Sequence, residues 1–153
     1  MNFYKVQLAQ FRKLNAIQKR TLLVAWLWLP LFWLGLRVLG LPCFQSWLMR
    51  QPARSGLVMT LPGIAAIGEA VNVAARHSLF PATCLTRSLL LIYLLRRCNV
   101  VSELRIGVRL TQGILEAHAW VEFESVPIND RLDVNRKFTS FGDLIQVAAS
   151  QAS

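Results

Sequence analysis

Residues 82–100 read ATCLTRSLLLIYLLRRCNV, and the fold turns on this stretch. Pro81 stops whatever precedes it, and Thr83 is a good N-cap residue. Leu85, Leu89, Ile92 and Leu95 recur at helical spacing, and Arg96-Arg97 fall where a helix C-terminus favours cations. The middle of the segment is apolar nearly all round, so the helix is expected at the centre of the domain, covered on several sides.

On its C-terminal side the pattern changes period. Glu103–Leu110 and Ile114–Phe123 alternate in character and flank Thr111-Gln112-Gly113, which predicts an antiparallel hairpin. Val126–Asp130 is expected to add a third strand, and Phe138–Val147 a short helix starting near Ser140. On the N-terminal side, Ile64, Ile67, Val71 and Ala75 predict a helix over 64–76. Pro52, Gly56, Pro62 and Gly63 within residues 50–63 mark a boundary, giving a helical N-terminal region at 1–54 and a second unit at 55–153. Helices followed by strands make an α+β unit in which a central buried helix feeds a small antiparallel sheet.

The N-terminal region carries the chain's charge excess. Of the net +9, residues 1–54 supply eight cations and no Asp or Glu, whereas 55–153 are nearly balanced. Phe3–Arg20 reads as an amphipathic helix, and Thr21–Leu36 (TLLVAWLWLPLFWLGL) contains no charge. That run is shorter than the ~20 residues of a membrane span, is interrupted by Pro30, and lacks a signal-peptide cleavage pattern at Leu41-Pro42-Cys43. A helix packed on the domain or a partner, an interfacial helix touching a membrane through residues 21–49, and a true span all stay open. Cations interleaved with Trp and Leu suit an anionic surface better than a nucleic acid, where the apolar face would have nowhere to go. Three cysteines without a Cys-x-x-Cys pair do not make a disulfide scaffold; free thiols and a cytoplasmic location are expected.

Three residues are candidates for chemistry. Cys84 falls in the first turn of the central helix, where unpaired N–H groups and the helix dipole favour a thiolate and an oxyanion, although a free cysteine is more often a small buried hydrophobe. In EAHAWVEF, His118 shares one strand face with Trp120 and Glu122, a reasonable setting for a general base. Twelve residues on, Asp130 can accept the imidazole N–H from a neighbouring strand, with Asp133 as its rival. His77 reads as a helix-end residue. No closely spaced Cys/His pair suggests zinc and no Gly-rich loop suggests a phosphate, so no cofactor is expected. Arg87, Arg105 and Arg109 are candidates for substrate contact, with structural or solvated roles the ordinary alternative.

The sequences CLTRSLLLIYLLRR, LRIGVR, AHAWVEF and PIND, in that order over roughly residues 55–135, resemble the leader peptidase of lasso peptide biosynthesis, the peptidase part of the B protein. That family is a compact relative of the transglutaminase and papain-like folds. The resemblance implies a cysteine peptidase with Cys84 as nucleophile, His118 as base and Asp130 as third member, cutting a ribosomally made precursor between leader and core. It also implies the split arrangement, in which a separate leader-recognition protein delivers the precursor and a separate ATP-dependent cyclase closes the macrolactam. An acyl transferase of transglutaminase type and a non-catalytic, membrane-associated interaction module are the alternatives.

Overall fold

The computed structural model describes residues 16–51, 59–140 and 145–146. The amphipathic helix expected at 3–20 lies for the most part outside these residues, as does the expected boundary at 54/55. Helix α1 (Ala16–Met49) contains the uncharged run and continues through Pro30 and Pro42. It bends at Gly40, whose φ of 71° is strained for any residue with a Cβ. The bend returns Phe44 and Leu48 to the core beside Phe32. One face of α1, with Leu22, Ala25, Leu29 and Phe32, is buried, while Leu23, Leu27, Leu31, Leu34 and Val38 face outward.

Helix α2 spans Leu61–Arg76, one turn longer than the periodicity suggests. Pro62 and Gly63 belong to its first turn and do not precede it, because a proline loses nothing at a position whose N–H has no helical partner. Helix α3 (Cys84–Arg97) is capped by the Thr83 hydroxyl, which accepts from the Thr86 N–H at 3.2 Å. Leu89 to Ile92 and Leu95 are fully buried between α1, α2 and the sheet, so α3 is the central helix.

Strands β1 (Glu103–Thr111) and β2 (Ile114–Phe123) form the hairpin, turning at Gln112-Gly113 with φ of 51° and 83°. Positive φ at both positions is the twist-matched two-residue turn. The third strand, β3 (Val126–Pro127), is shorter than the expected 126–130. The tail departs further from expectation. A short helix α4 (Val134–Lys137) comes first, then β4 (Thr139–Ser140) and β5 (Ile145–Gln146), both antiparallel to β1, in place of a helix from Ser140. The open edge of β1 supplies the reason: Phe138 leaves α4 in an extended conformation and lets the next residues complete the ladder. The sheet order is β3-β2-β1-β4, with β5 also on β1.

The layers are locked by a buried polar knot. Ser88 of α3 donates to the Ala119 carbonyl of β2 at 3.1 Å and accepts from Asn129 Nδ2 at 3.1 Å, while Asn129 Oδ1 accepts the Val121 N–H at 2.8 Å. Asn72 of α2 donates to the Asn129 carbonyl at 2.9 Å. Gly68, one turn earlier in α2, lies so close to the same segment that a Cβ would stand 2.2 Å from the Ile128 carbonyl oxygen. Replacing Gly68 with Ala adds ~1 kcal/mol of helix propensity. It also forces a backbone clash of the kind that costs about 1–3 kcal/mol or more. The net expected result is a lower urea midpoint for Gly68→Ala; an unchanged or raised midpoint would refute the close approach.

Candidate active site

Side chains alternate along β2, and the alternation divides labour. Ala119 and Val121 enter the core against α3, while His118 and Trp120 project from the opposite face. Trp120 is fully buried, and its indole N–H donates to Glu122 Oε1 at 2.9 Å. Phe138 lies alongside, its ring 5.1 Å from that of His118 and 6.3 Å from that of Trp120. His118 pairs in register with Gly107 of β1. A Cβ at Gly107 would come within 2.9 Å of both the Trp120 ring and Phe138 Cβ, so glycine is what lets the two aromatic side chains close over the strand beside the imidazole.

Asp130 is brought to this imidazole by the knot. Glu124 and Ser125 turn the chain with φ of 49° and 65°, β3 pairs with the end of β2, and the Ile128 N–H donates to the Val121 carbonyl at 3.0 Å. Asn129 then binds the Val121 N–H through its side chain, and the next residue reaches His118. Asp130 Oδ2 lies 2.5 Å from His118 Nε2, and Oδ1 accepts the Arg131 N–H at 2.7 Å. A carboxylate at that distance places the imidazole proton on Nε2 and leaves Nδ1 as the basic nitrogen. Asp133 is engaged elsewhere, 2.8 Å from Lys137 Nζ and 3.7 Å from Arg131 Nε. The hydrogen bond from Lys137 holds its carboxyl below the usual carboxylate range.

Cys84 opens α3 and is half-buried at the margin of the core. Its place relative to β2 follows from two ties. Ser88, one turn further along α3, is bonded to Ala119, the neighbour of His118. Beyond the far end of α3, Asn99 and Ser102 line a cavity of about 550 Å³ together with Glu122 and Phe123. Helix and strand therefore run in the same direction, and Cys84 lies toward the end of β2 that carries His118. Among the described residues no hydrogen bond joins the Cys84 sulfur to His118; the direct contact in the site is that of His118 with Asp130.

The three arginines have partners within the protein. Arg87 donates to Asn72 Oδ1 at 3.3 Å, Arg105 bonds Glu122 and Glu103, and Arg109 bonds Glu116 at 2.6 Å with its guanidinium 4.7 Å over Phe138. The sequence reading assigned no role to Asn129, Phe138 or Gly107. Asn129 lies in the PIND segment, two residues after Pro127, but its burial is visible only in the fold. Phe138 carried none, because its position depends on where the tail returns to the sheet.

Residues 26–142 match the family model of the transglutaminase-like superfamily. The chain belongs to the transglutaminase-like superfamily. No curated protein and no solved structure matches it. Members of this superfamily are commonly cysteine-dependent enzymes, and a transglutaminase-like domain is compatible with peptidase or acyltransferase chemistry. The match begins inside α1 and ends just past β4, so it includes the central helix, the hairpin and the segment bearing Asp130.

Two outcomes are expected, one at this transglutaminase-like site and one at the far end of α3. Asp130→Asn leaves the imidazole without its anionic partner and should lower turnover on the order of 10²- to 10⁴-fold, whereas Asp133→Asn should change it less than about threefold. Equal losses in the two variants would remove Asp130 from the site. The second outcome concerns Cys98. Burial pushes its thiol above the ordinary value, with Arg97 offsetting only part of this. Less of it is thiolate near pH 8, so iodoacetamide should alkylate it more slowly than exposed Cys43, with the gap narrowing as pH rises. Peptide mapping by mass spectrometry reads the order.

Proposed function

We propose that this protein is a cysteine peptidase that removes the leader from a ribosomally made lasso peptide precursor. The observation that carries the catalytic reading is the His118–Asp130 contact on a strand tied, through Ser88, to the helix that begins with Cys84. The substrate class rests on the resemblance of roughly residues 55–135 to the lasso leader peptidases.

In this mechanism His118 Nδ1 takes the thiol proton of Cys84, and the thiolate adds to the carbonyl carbon of the bond joining leader to core. The N–H groups of Cys84 and Leu85, ahead of the capped Thr86 N–H, stabilise the oxyanion, aided by the helix dipole. As the tetrahedral intermediate collapses, the C–N bond breaks and His118 returns the proton to the departing core amine. The leader remains as a thioester until water, deprotonated by the same imidazole, releases its carboxylate. Asp130 keeps the Nε2–H oriented and stabilises the imidazolium formed between the two proton transfers. Phe138 and Trp120 shield one side of the ring from water. Specificity comes from a separate recognition protein that holds the leader and raises the local concentration of the scissile bond. The freed core amine then passes to a separate cyclase.

Mass spectrometry of a precursor peptide incubated with the protein and its recognition partner tests this reading. The native chain should release leader and core, and Cys84→Ala should release neither above background. Cleavage by Cys84→Ala equal to native would rule out the thiol mechanism. Transfer of the leader to an added primary amine in preference to water would place the enzyme with the acyl transferases.

A further inference from the structure

The outward face of α1 is left unused by the proposed chemistry. Leu23, Trp26, Leu27, Leu31, Leu34 and Val38 are between 43% and 70% exposed and recur at helical spacing, forming one stripe about 22 Å long. Scattered exposed leucines are ordinary, but a contiguous stripe of this size marks a surface that is covered in use. Exposed cations bracket it: Lys19 and Arg20 at one end, Arg37 at the other. Residues 1–54 contain no acidic side chain. The stripe also continues onto the loop before α3, where Leu79 is 83% and Phe80 45% exposed. That loop is held against α1 by the Trp26 indole N–H, which donates to the His77 carbonyl at 3.2 Å, and by the Trp33–Phe80 ring contact at 5.7 Å.

We propose that this face seats the protein on an anionic lipid surface, with α1 lying in the plane of the interface. Charge complementarity selects the occupant. A two-fold dimer through the same patch would bring a surface of cations without acids against itself. Anionic headgroups instead neutralise Lys19, Arg20 and Arg37 while the leucines and Trp26 enter the acyl boundary. The buried face of α1 sets the depth. Leu22, Ala25, Leu29 and Phe32 are at most 8% exposed and belong to the domain core, so α1 cannot be surrounded by lipid without pulling the core apart. An embedded depth of about 5–10 Å, typical of interfacial helices, is what the stripe allows. The inference does not rest on the peptidase reading.

Flotation of the full chain with vesicles tests it. Phosphatidylcholine vesicles containing a quarter phosphatidylglycerol should bind the native protein, and pure phosphatidylcholine should bind it about tenfold less. Leu27→Glu combined with Leu31→Glu, two outward positions, should keep the native circular dichroism spectrum and lose binding by about tenfold or more. Arg37→Gln with Lys19→Gln and Arg20→Gln should weaken only the anionic component, as should high salt. Alkaline carbonate should release the bound protein. Binding that ignores lipid charge, survival of binding in the double glutamate variant, retention in carbonate as a span, or a solution dimer that the glutamates dissociate would each overturn the proposal.

Discussion

The structure depends on Asn129. Its side chain completes the ladder of β2 through the Val121 N–H and bonds Ser88 of α3, and its carbonyl takes the amide of Asn72 from α2. A buried amide with a partner for both its oxygen and its nitrogen is worth keeping because the alternatives are costly: removing one partner strands a desolvated donor or acceptor at about 1–3 kcal/mol. The same network fixes relative position as well as stability. Two helices and the sheet meet at one residue, so the ends of α3 and β2 are registered against each other through Ser88 and Ala119. The placement of Asp130 is a direct consequence, since it is the next residue in the chain.

The imidazole of His118 is held from two directions by different physics. The Asp130 carboxylate fixes one ring nitrogen electrostatically and leaves the other basic. The Phe138 ring, itself covered by the Arg109 guanidinium, restricts the plane of the imidazole by stacking. Gly107 makes the second restraint feasible by giving up the volume that a side chain would claim. Arg105 and Arg109 serve this scaffold. Their pairing with Glu103, Glu122 and Glu116 sets two cations against three carboxylates beside the aromatic stack.

Helix α1 combines two roles that are usually separate. Its inner face is part of the domain core, with Phe32 among Phe44, Trp47 and Tyr93. Its outer face is apolar as well, which is why α1 has the length and hydropathy of a membrane span although its inner face packs in the core. The bend at Gly40 serves the inner face, returning the last two turns of the helix to the core.

Much of this was written locally in the chain. Thr83 and the apolar run behind it specify α3, Gln112-Gly113 specifies the hairpin, and the alternation in EAHAWVEF puts His118 and Ala119 on opposite faces. The identities of Cys84 and His118 as candidates followed from where those elements begin and how they alternate, and the choice of Asp130 drew on family resemblance. What the sequence left open were contacts between residues far apart in the chain. By spacing Asp130 is the candidate and Asp133 its rival, and the pairing of Asn129 with Ser88 across 41 residues separates them. Local propensity predicts a helix from Ser140 because it does not see the unpaired edge of β1, which pairs Thr139–Ser140 and Ile145–Gln146. Periodicity is a property of neighbours along the chain and can be read there. Which carboxylate meets an imidazole, and which face of an apolar helix is buried, depend on close packing between elements, and only the folded molecule decides them.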